Sequence, residues 1–134
     1  MMALTKFLFP SPAPRSAGGI VRWWESRRLH YNAIVGASGL LSIGLVRVIS
    51  VLPPDPRTIM LTWTPIIVFG VLANICYLLG PVVEVSVEKL WRGKILPTGP
   101  VLFRMGLTFS VGLTFLPTLI FGVDWVIRVL LAVF

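Results

Sequence analysis

The sequence has few charged residues, one cysteine and one histidine. Charged side chains make up 13% of its 134 residues, about half the share of roughly 25% that is usual in soluble domains. This shortage excludes an ordinary soluble domain, a disordered chain and a coiled coil, all of which are rich in charge. Cys76 cannot form an internal disulfide, because it is the only cysteine, and it gives no indication of the redox compartment.

The patterns of common catalytic and metal sites are also missing. A single histidine, His30, excludes a two-histidine metal or haem site within one chain. There is no Gly-rich phosphate loop, nucleophile elbow or HExxH sequence. Glu84 and Glu88 share a helix face, and the basic residues that follow them predict a solvated surface. We therefore expect neither enzymatic activity nor a cofactor.

Long apolar runs occupy most of the chain. Hydrophobic residues make up 56% of it, and a membrane-spanning helix needs about 20 of them in succession. Residues 33–52, 59–83 and 101–123 meet this requirement. Residues 124–134 are about half as long as a span, which predicts a short interfacial or partly buried helix, with a fourth short span as the alternative. The predicted fold class is an all-α membrane protein, a bundle of three transmembrane helices or four.

The chain divides into two predicted parts, a tail and one domain. Residues 1–19 form a flexible Pro-rich tail without a cleavable signal, because their apolar patch is too short. Residues 20–134 form one domain, which opens with an interfacial amphipathic helix before the first span. Its aromatic side chains suit the headgroup boundary and its arginines suit lipid phosphates. The predicted anchoring residues are Arg22, Trp23, Trp24, Arg27, Arg28 and Tyr31. A specific lipid or partner-subunit site is the alternative.

The distribution of basic residues predicts the orientation. Lysine and arginine are concentrated in the N-terminal flank and in the second connection, residues 84–100, with Arg104 just beyond it. This bias predicts a multi-pass protein with its N-terminus in the cytoplasm. The net charge of +7 favours attraction to anionic headgroups. No basic, aromatic-interleaved face of useful size lies outside the apolar runs, so we expect no nucleic-acid partner.

Four polar side chains lie in or next to the predicted spans: Asn32, Asn74, Tyr77 and Arg47. Asn74 and Tyr77 are three residues apart and share a helix face. We expect Asn32, Asn74 and Tyr77 to form hydrogen bonds between helices. The alternative is that they line a ligand or ion path. Arg47 is predicted to extend its long side chain to the interface. A functional role for its charge would need an acidic partner, and Asp55 and Asp124 are the candidates at the same end of the bundle.

Two segments carry a resemblance to a known group of proteins. The first contains Arg22–Glu25 (RWWE), Arg27–Arg28 and Tyr31–Asn32, and the second is Ala73–Gly80 (ANICYLLG). Together they make the chain resemble a set of small bacterial integral-membrane proteins of unknown function, over roughly residues 20 to 120. The resemblance implies a bacterial inner-membrane location and a helical-bundle fold, and it implies no activity.

Three functions are consistent with these features. The first is a non-enzymatic accessory or scaffold subunit of a membrane complex, because the chain lacks catalytic groups and has little mass outside the spans. The second is a homo-oligomeric channel or small-solute transporter, with Asn74, Tyr77 and Arg47 along its path. The third, a membrane enzyme or quinone-contacting subunit, has no cofactor ligand to support it.

Overall fold

Four helices account for most of the chain. A computed structural model describes residues 16–60, 62–91 and 98–134. The helices are α1 (Ala17–Val51), α2 (Trp63–Trp91), α3 (Gly99–Thr114) and α4 (Leu116–Val133). By length and composition, three helical stretches of the described residues are able to cross a membrane: α1, α2 and the combined stretch Gly99–Val133. The predicted all-helical fold with three membrane-capable stretches is confirmed at that level.

Helix α1 is longer than predicted and continuous. It begins after Ser16, whose Oγ accepts the backbone N–H of Gly19 at 3.1 Å and so caps the first turn. No proline separates residues 20–32 from residues 33–52, so the predicted interfacial segment is the first part of α1 and not a separate helix. Residues 17–19 of the predicted tail are helical as well, and residues 1–15 lie outside the described ranges.

Helix α2 begins at Trp63, later than the predicted start at residue 59. The reason is Pro65, which has no N–H to donate and clashes with the preceding turn inside a helix. A start at Trp63 places Pro65 in the first turn, where backbone N–H groups have no partner within the helix. The helix passes through Pro81 and ends at Trp91, eight residues beyond the predicted span.

The third span is interrupted at Phe115 and then continues. Pro117 is the second residue of α4 and cannot donate the hydrogen bond that an unbroken helix would require of it. Helix α4 runs on without a break to Val133. The prediction of a separate short helix at residues 124–134 is therefore wrong. In the part of the chain that the structure describes, these residues add neither a new helix nor a fourth span.

Helix α2 runs antiparallel to α1. Trp24, near the start of α1, donates a hydrogen bond to Glu84, near the end of α2. Further along α1, Asn32 contacts Asn74, ten residues earlier in α2. As residue numbers rise in α1, those of its partners in α2 fall.

The third span runs parallel to α1 along its whole length. Tyr31 contacts Ser110, and beyond the end of α1 the indole of Trp125 donates to the carbonyl oxygen of Pro53 at 2.9 Å. Residue numbers rise together in both stretches. The bundle therefore goes up, down and up, with one end marked by Trp24 (the Trp24 end) and the other by Asp124 (the Asp124 end).

The core of the bundle lies towards the Trp24 end. The nine buried residues that pack there are Ile20, Trp23, Trp24, Tyr31, Val35, Ala73, Tyr77, Phe103 and Leu107. Most large apolar side chains instead point away from the bundle; Leu40, for example, is 73% exposed and Leu131 is 78% exposed. Exposed apolar surface on this scale is unusual for a water-soluble monomer.

Candidate functional site

Glu84 lies buried where three helices meet at the Trp24 end. The residue is 6% exposed. Its Oε2 accepts the indole N–H of Trp24 at 2.7 Å, and its Oε1 accepts the backbone N–H of Gly99 at 3.2 Å. One carboxylate thus ties α2 to α1 and to the start of α3. The predicted solvated surface is wrong for Glu84, because its place on α2 is in phase with the buried residues Ala73 and Tyr77.

The start of α3 is built to receive this carboxylate. Gly99 is the first residue of α3, and the N-terminus of a helix favours a nearby negative charge. A Cβ atom added to Gly99 would lie less than 3.0 Å from three atoms of the Glu84 carboxyl group. With any other residue at this position, the Glu84 carboxyl group would have to shift.

A second glycine makes room for the indole of Trp24. A Cβ atom on Gly80 would lie less than 3.0 Å from three carbons of the Trp24 ring. Because Gly80 has no side chain, the ring packs directly against the backbone of α2, with its N–H directed at Glu84. Trp24 is 3% exposed as a result.

Aromatic rings surround Trp24 on its other sides. The centroid of its ring lies 5.5 Å from that of Trp23, 5.4 Å from Tyr77 and 6.0 Å from Phe103, all in edge-to-face arrangements. Each such pair adds about 0.5–1.5 kcal/mol beyond the burial of its area. We call these four residues together with Glu84 the Trp24 cluster.

Two tyrosine hydroxyls link the helices next to the cluster. Tyr77 donates to the main-chain carbonyl oxygen of Trp24 at 2.5 Å. The hydroxyl of Tyr31 lies 2.6 Å from Ser110 Oγ and 3.3 Å from the carbonyl oxygen of Ala73. Tyr31 therefore joins α1 to both α2 and α3, and Tyr77 joins α2 to α1.

The aromatic residues predicted as membrane anchors pack inside the protein. Trp23, Trp24 and Tyr31 are 8%, 3% and 2% exposed, and their rings contact α2 and α3. Periodicity places aromatic residues on one face of a helix, but it does not distinguish a face that meets lipid from one that meets other helices. Neighbouring helices occupy this face.

The arginines of the same segment lie nearer the surface. Arg22 is exposed. The guanidinium of Arg27 lies 3.9 Å from the centroid of the Trp23 ring, a cation–π contact. Arg28 Nη1 lies 3.2 Å from Glu25 Oε1. For these three arginines, anchoring to the membrane stays a prediction.

The polar residues predicted within the spans are only partly brought together. Asn32 Nδ2 donates to Asn74 Oδ1 at 3.4 Å, and Asn74 Nδ2 donates to the carbonyl oxygen of Gly70 at 3.0 Å. Both contacts lie at the surface, between α1 and α2. Tyr77, one turn from Asn74, instead points into the core. Arg47 is exposed on α1 and belongs to neither group.

The Asp124 end carries an ionic cluster that sequence reasoning missed. Asp124 Oδ2 lies 3.1 Å from Arg128 Nε and 3.4 Å from Arg57 Nη1. Arg57 Nε also lies 3.1 Å from Asp55, whose main-chain carbonyl accepts a hydrogen bond from Arg128. The spacing of Asp124 and Arg128, four residues apart, was the available signal. Both aspartates that were considered as partners for Arg47 pair with other arginines.

The polar groups of the Trp24 cluster hold helices together. Each oxygen of Glu84 and the hydroxyl of Tyr77 has a partner within the chain, which is the arrangement of a structural connection. Comparison with protein-family models, with curated proteins and with solved structures gives no match for this chain. Contacts within the chain and its exposed surface are therefore the guides to function.

Proposed function

We propose that this chain is an integral membrane protein that acts as a non-enzymatic accessory or scaffold subunit in a bacterial inner membrane. The single observation that carries the proposal is the division of its surfaces. Buried polar groups such as Glu84 and Tyr77 are engaged within the chain, whereas large apolar side chains face outward on all four helices. Such an outward surface fits lipid or the helices of other subunits.

The dimensions of the bundle support insertion in a bilayer. From Asn32 to Leu52, α1 advances by 20 residues, or about 30 Å at 1.5 Å per residue, which equals the usual hydrocarbon thickness. The ionic cluster around Asp124 lies just beyond Leu52. Arg28 and Arg27 lie just before Asn32. Charged groups therefore stand at both edges of a slab of membrane thickness.

The proposed orientation has the Trp24 end in the cytoplasm. Nine of the twelve lysines and arginines lie before the first span, in the second connection (residues 84–100) or, as Arg104 does, just beyond it. Cytoplasmic segments carry such an excess. Single cysteines placed at Ser16 and at Thr58, in a Cys76→Ser chain, test the proposal. In right-side-out vesicles, we expect an impermeant maleimide added from outside to label Thr58→Cys alone. Labelling of Ser16→Cys instead would show that the orientation is the opposite of the one proposed.

The accessory-subunit proposal predicts a partner protein. The test is a native pull-down of the tagged chain in mild detergent, followed by mass measurement of the eluted complex. A stoichiometric foreign protein supports the proposal. A lone monomer with no co-purifying protein contradicts it.

The alternative function, a homo-oligomeric channel or small-solute transporter, is favoured by the position of the asparagine pair. Asn32 and Asn74 meet on the outside of the bundle, where a polar path between copies would run. This function predicts solute or ion flux in liposomes that Asn74→Leu reduces. Flux equal to that of empty liposomes refutes it.

A further inference from the structure

We infer that the groove between α1 and α2 near Asn32 and Asn74 binds one anionic phospholipid, with its phosphate at the asparagine pair and an acyl chain along glycines 36, 39 and 70. The inference depends on the membrane insertion proposed above and goes beyond it, because it assigns a defined site to one lipid molecule. Three observations carry it: unused hydrogen-bonding capacity, positive charge at the same depth and open space beside three glycines.

The asparagine pair retains hydrogen-bonding capacity towards the outside. An asparagine amide has two N–H donors and one oxygen acceptor. The contact between Asn32 and Asn74 uses one donor, at 3.4 Å, which is longer than the usual 2.7–3.2 Å. No other contact within the described residues uses the second N–H of Asn32, so this N–H can donate to an external acceptor. Asn32 is exposed, so an acceptor can reach it.

The depth of the pair matches that of lipid phosphates and ester groups. Asn32 lies about 30 Å along α1 from Leu52, at the edge of the hydrocarbon region. Arg28 is one turn before Asn32 on the same face, is half-buried and is linked to Glu25. With Arg27, this side of α1 carries two positive charges and one negative charge, that of Glu25. A phosphate diester complements that charge.

Glycines keep the groove open on the membrane side of the pair. Gly36 and Gly39 follow Asn32 by four and seven residues, so all three share one face of α1. Gly70 is one turn from Asn74 in the same direction on α2. A Cβ atom added to any of these glycines would meet no atom within 4 Å. An acyl chain that extends from a phosphate at Asn32 would enter this space.

The test is lipid binding by the purified chain, measured by native mass spectrometry as phosphatidylglycerol is titrated into a delipidated sample. Arg28→Gln and Asn32→Leu remove headgroup contacts, and Gly36→Leu fills the groove. We expect Arg28→Gln and Asn32→Leu each to weaken binding of the first phosphatidylglycerol at least about tenfold, because each removes a hydrogen bond to a charged group. Gly36→Leu should weaken it about tenfold as well, because the new side chain occupies the space of the acyl chain. Phosphatidylcholine, which has no net charge, should bind more weakly than phosphatidylglycerol to the unaltered chain.

Two matched controls separate this site from general attraction. Arg22→Gln removes the same charge about 120° around α1 from Arg28. Gly112→Leu adds the same side chain at an exposed, open glycine of α3 at similar depth. Both controls should bind the first lipid within about twofold of the unaltered chain. Far-ultraviolet circular dichroism is used to check that each variant is folded.

Three outcomes overturn the inference. The first is equal weakening by Arg28→Gln and Arg22→Gln, which would mean attraction without a site. The second is unchanged binding in Gly36→Leu. The third is that a second copy of the chain binds at this site in place of the lipid, so that Gly36→Leu abolishes dimer formation and Gly112→Leu does not. A chain that fails to enter liposomes refutes the proposed membrane function itself, which is a separate result.

Discussion

Replacement of Glu84 by glutamine is the most direct perturbation of the Trp24 cluster. Both carboxylate oxygens of Glu84 accept N–H groups, from Trp24 and from Gly99. The glutamine side chain has the same shape, but it offers one oxygen and one NH2 group. One of the two N–H donors must then face another donor in a buried position. The substitution therefore removes at least one hydrogen bond to a charged group.

The expected cost follows from this count. A hydrogen bond to a charged group contributes about 1.5–3 kcal/mol, so Glu84→Gln should lower the free energy of unfolding by about that amount. The measurement is unfolding by dodecyl sulfate in mixed micelles, followed by far-ultraviolet circular dichroism. Glu88→Gln is the matched control, because Glu88 lies one turn further along α2 and is only half-buried. If both variants unfold at the same mole fraction of dodecyl sulfate, the carboxylate does not hold the three helices together.

Three further predictions concern other parts of the bundle. Gly80→Ala should destabilise the protein by about 1–3 kcal/mol, the usual cost of overpacking, whereas Gly44→Ala, whose new Cβ would meet nothing within 4 Å, should not lower stability in the same unfolding assay. Tyr31→Phe and Ser110→Ala should each cost about 0.6 kcal/mol, the average for hydrogen bonds between membrane helices. Their double variant should cost less than the sum of the two, and strict additivity would show that the 2.6 Å contact contributes nothing. Cys76, which is exposed on α2, should resist an impermeant maleimide in sealed vesicles and react once the protein is unfolded in detergent. Rapid labelling in intact vesicles would place this face of α2 in water.

The helical stretches could be predicted from the sequence because they depend on local properties. Apolar runs of about 20 residues located all three membrane-capable stretches. Proline predicted the interruptions less well, since its effect depends on the position within the helix. Pro65 sits in a first turn, Pro81 inside a continuous helix and Pro117 just after a break. Only the structure distinguishes these three cases.

The Trp24 cluster could not be predicted because its contacts depend on how helices pair. Glu84 next to Glu88 has the pattern of a solvated helix face, and nothing local identifies a partner 60 residues away. The glycines at positions 80 and 99 look like ordinary helix and turn residues until the opposing side chain is known. The parallel contact between α1 and the third span likewise requires the full three-dimensional arrangement.

Because α1 packs against the third span, the bundle can be completed only after the third span has been synthesised. Trp24 is synthesised early, but its partner Glu84 follows 60 residues later, and Ser110 follows Tyr31 by 79 residues. At about 5–20 residues per second, the nascent chain must hold the aromatic face of α1 without its final partners for roughly 3–16 s. During that interval the face is open to other proteins. Nascent α1 is therefore the stage at which assembly factors have the longest access to Trp24 and Tyr31.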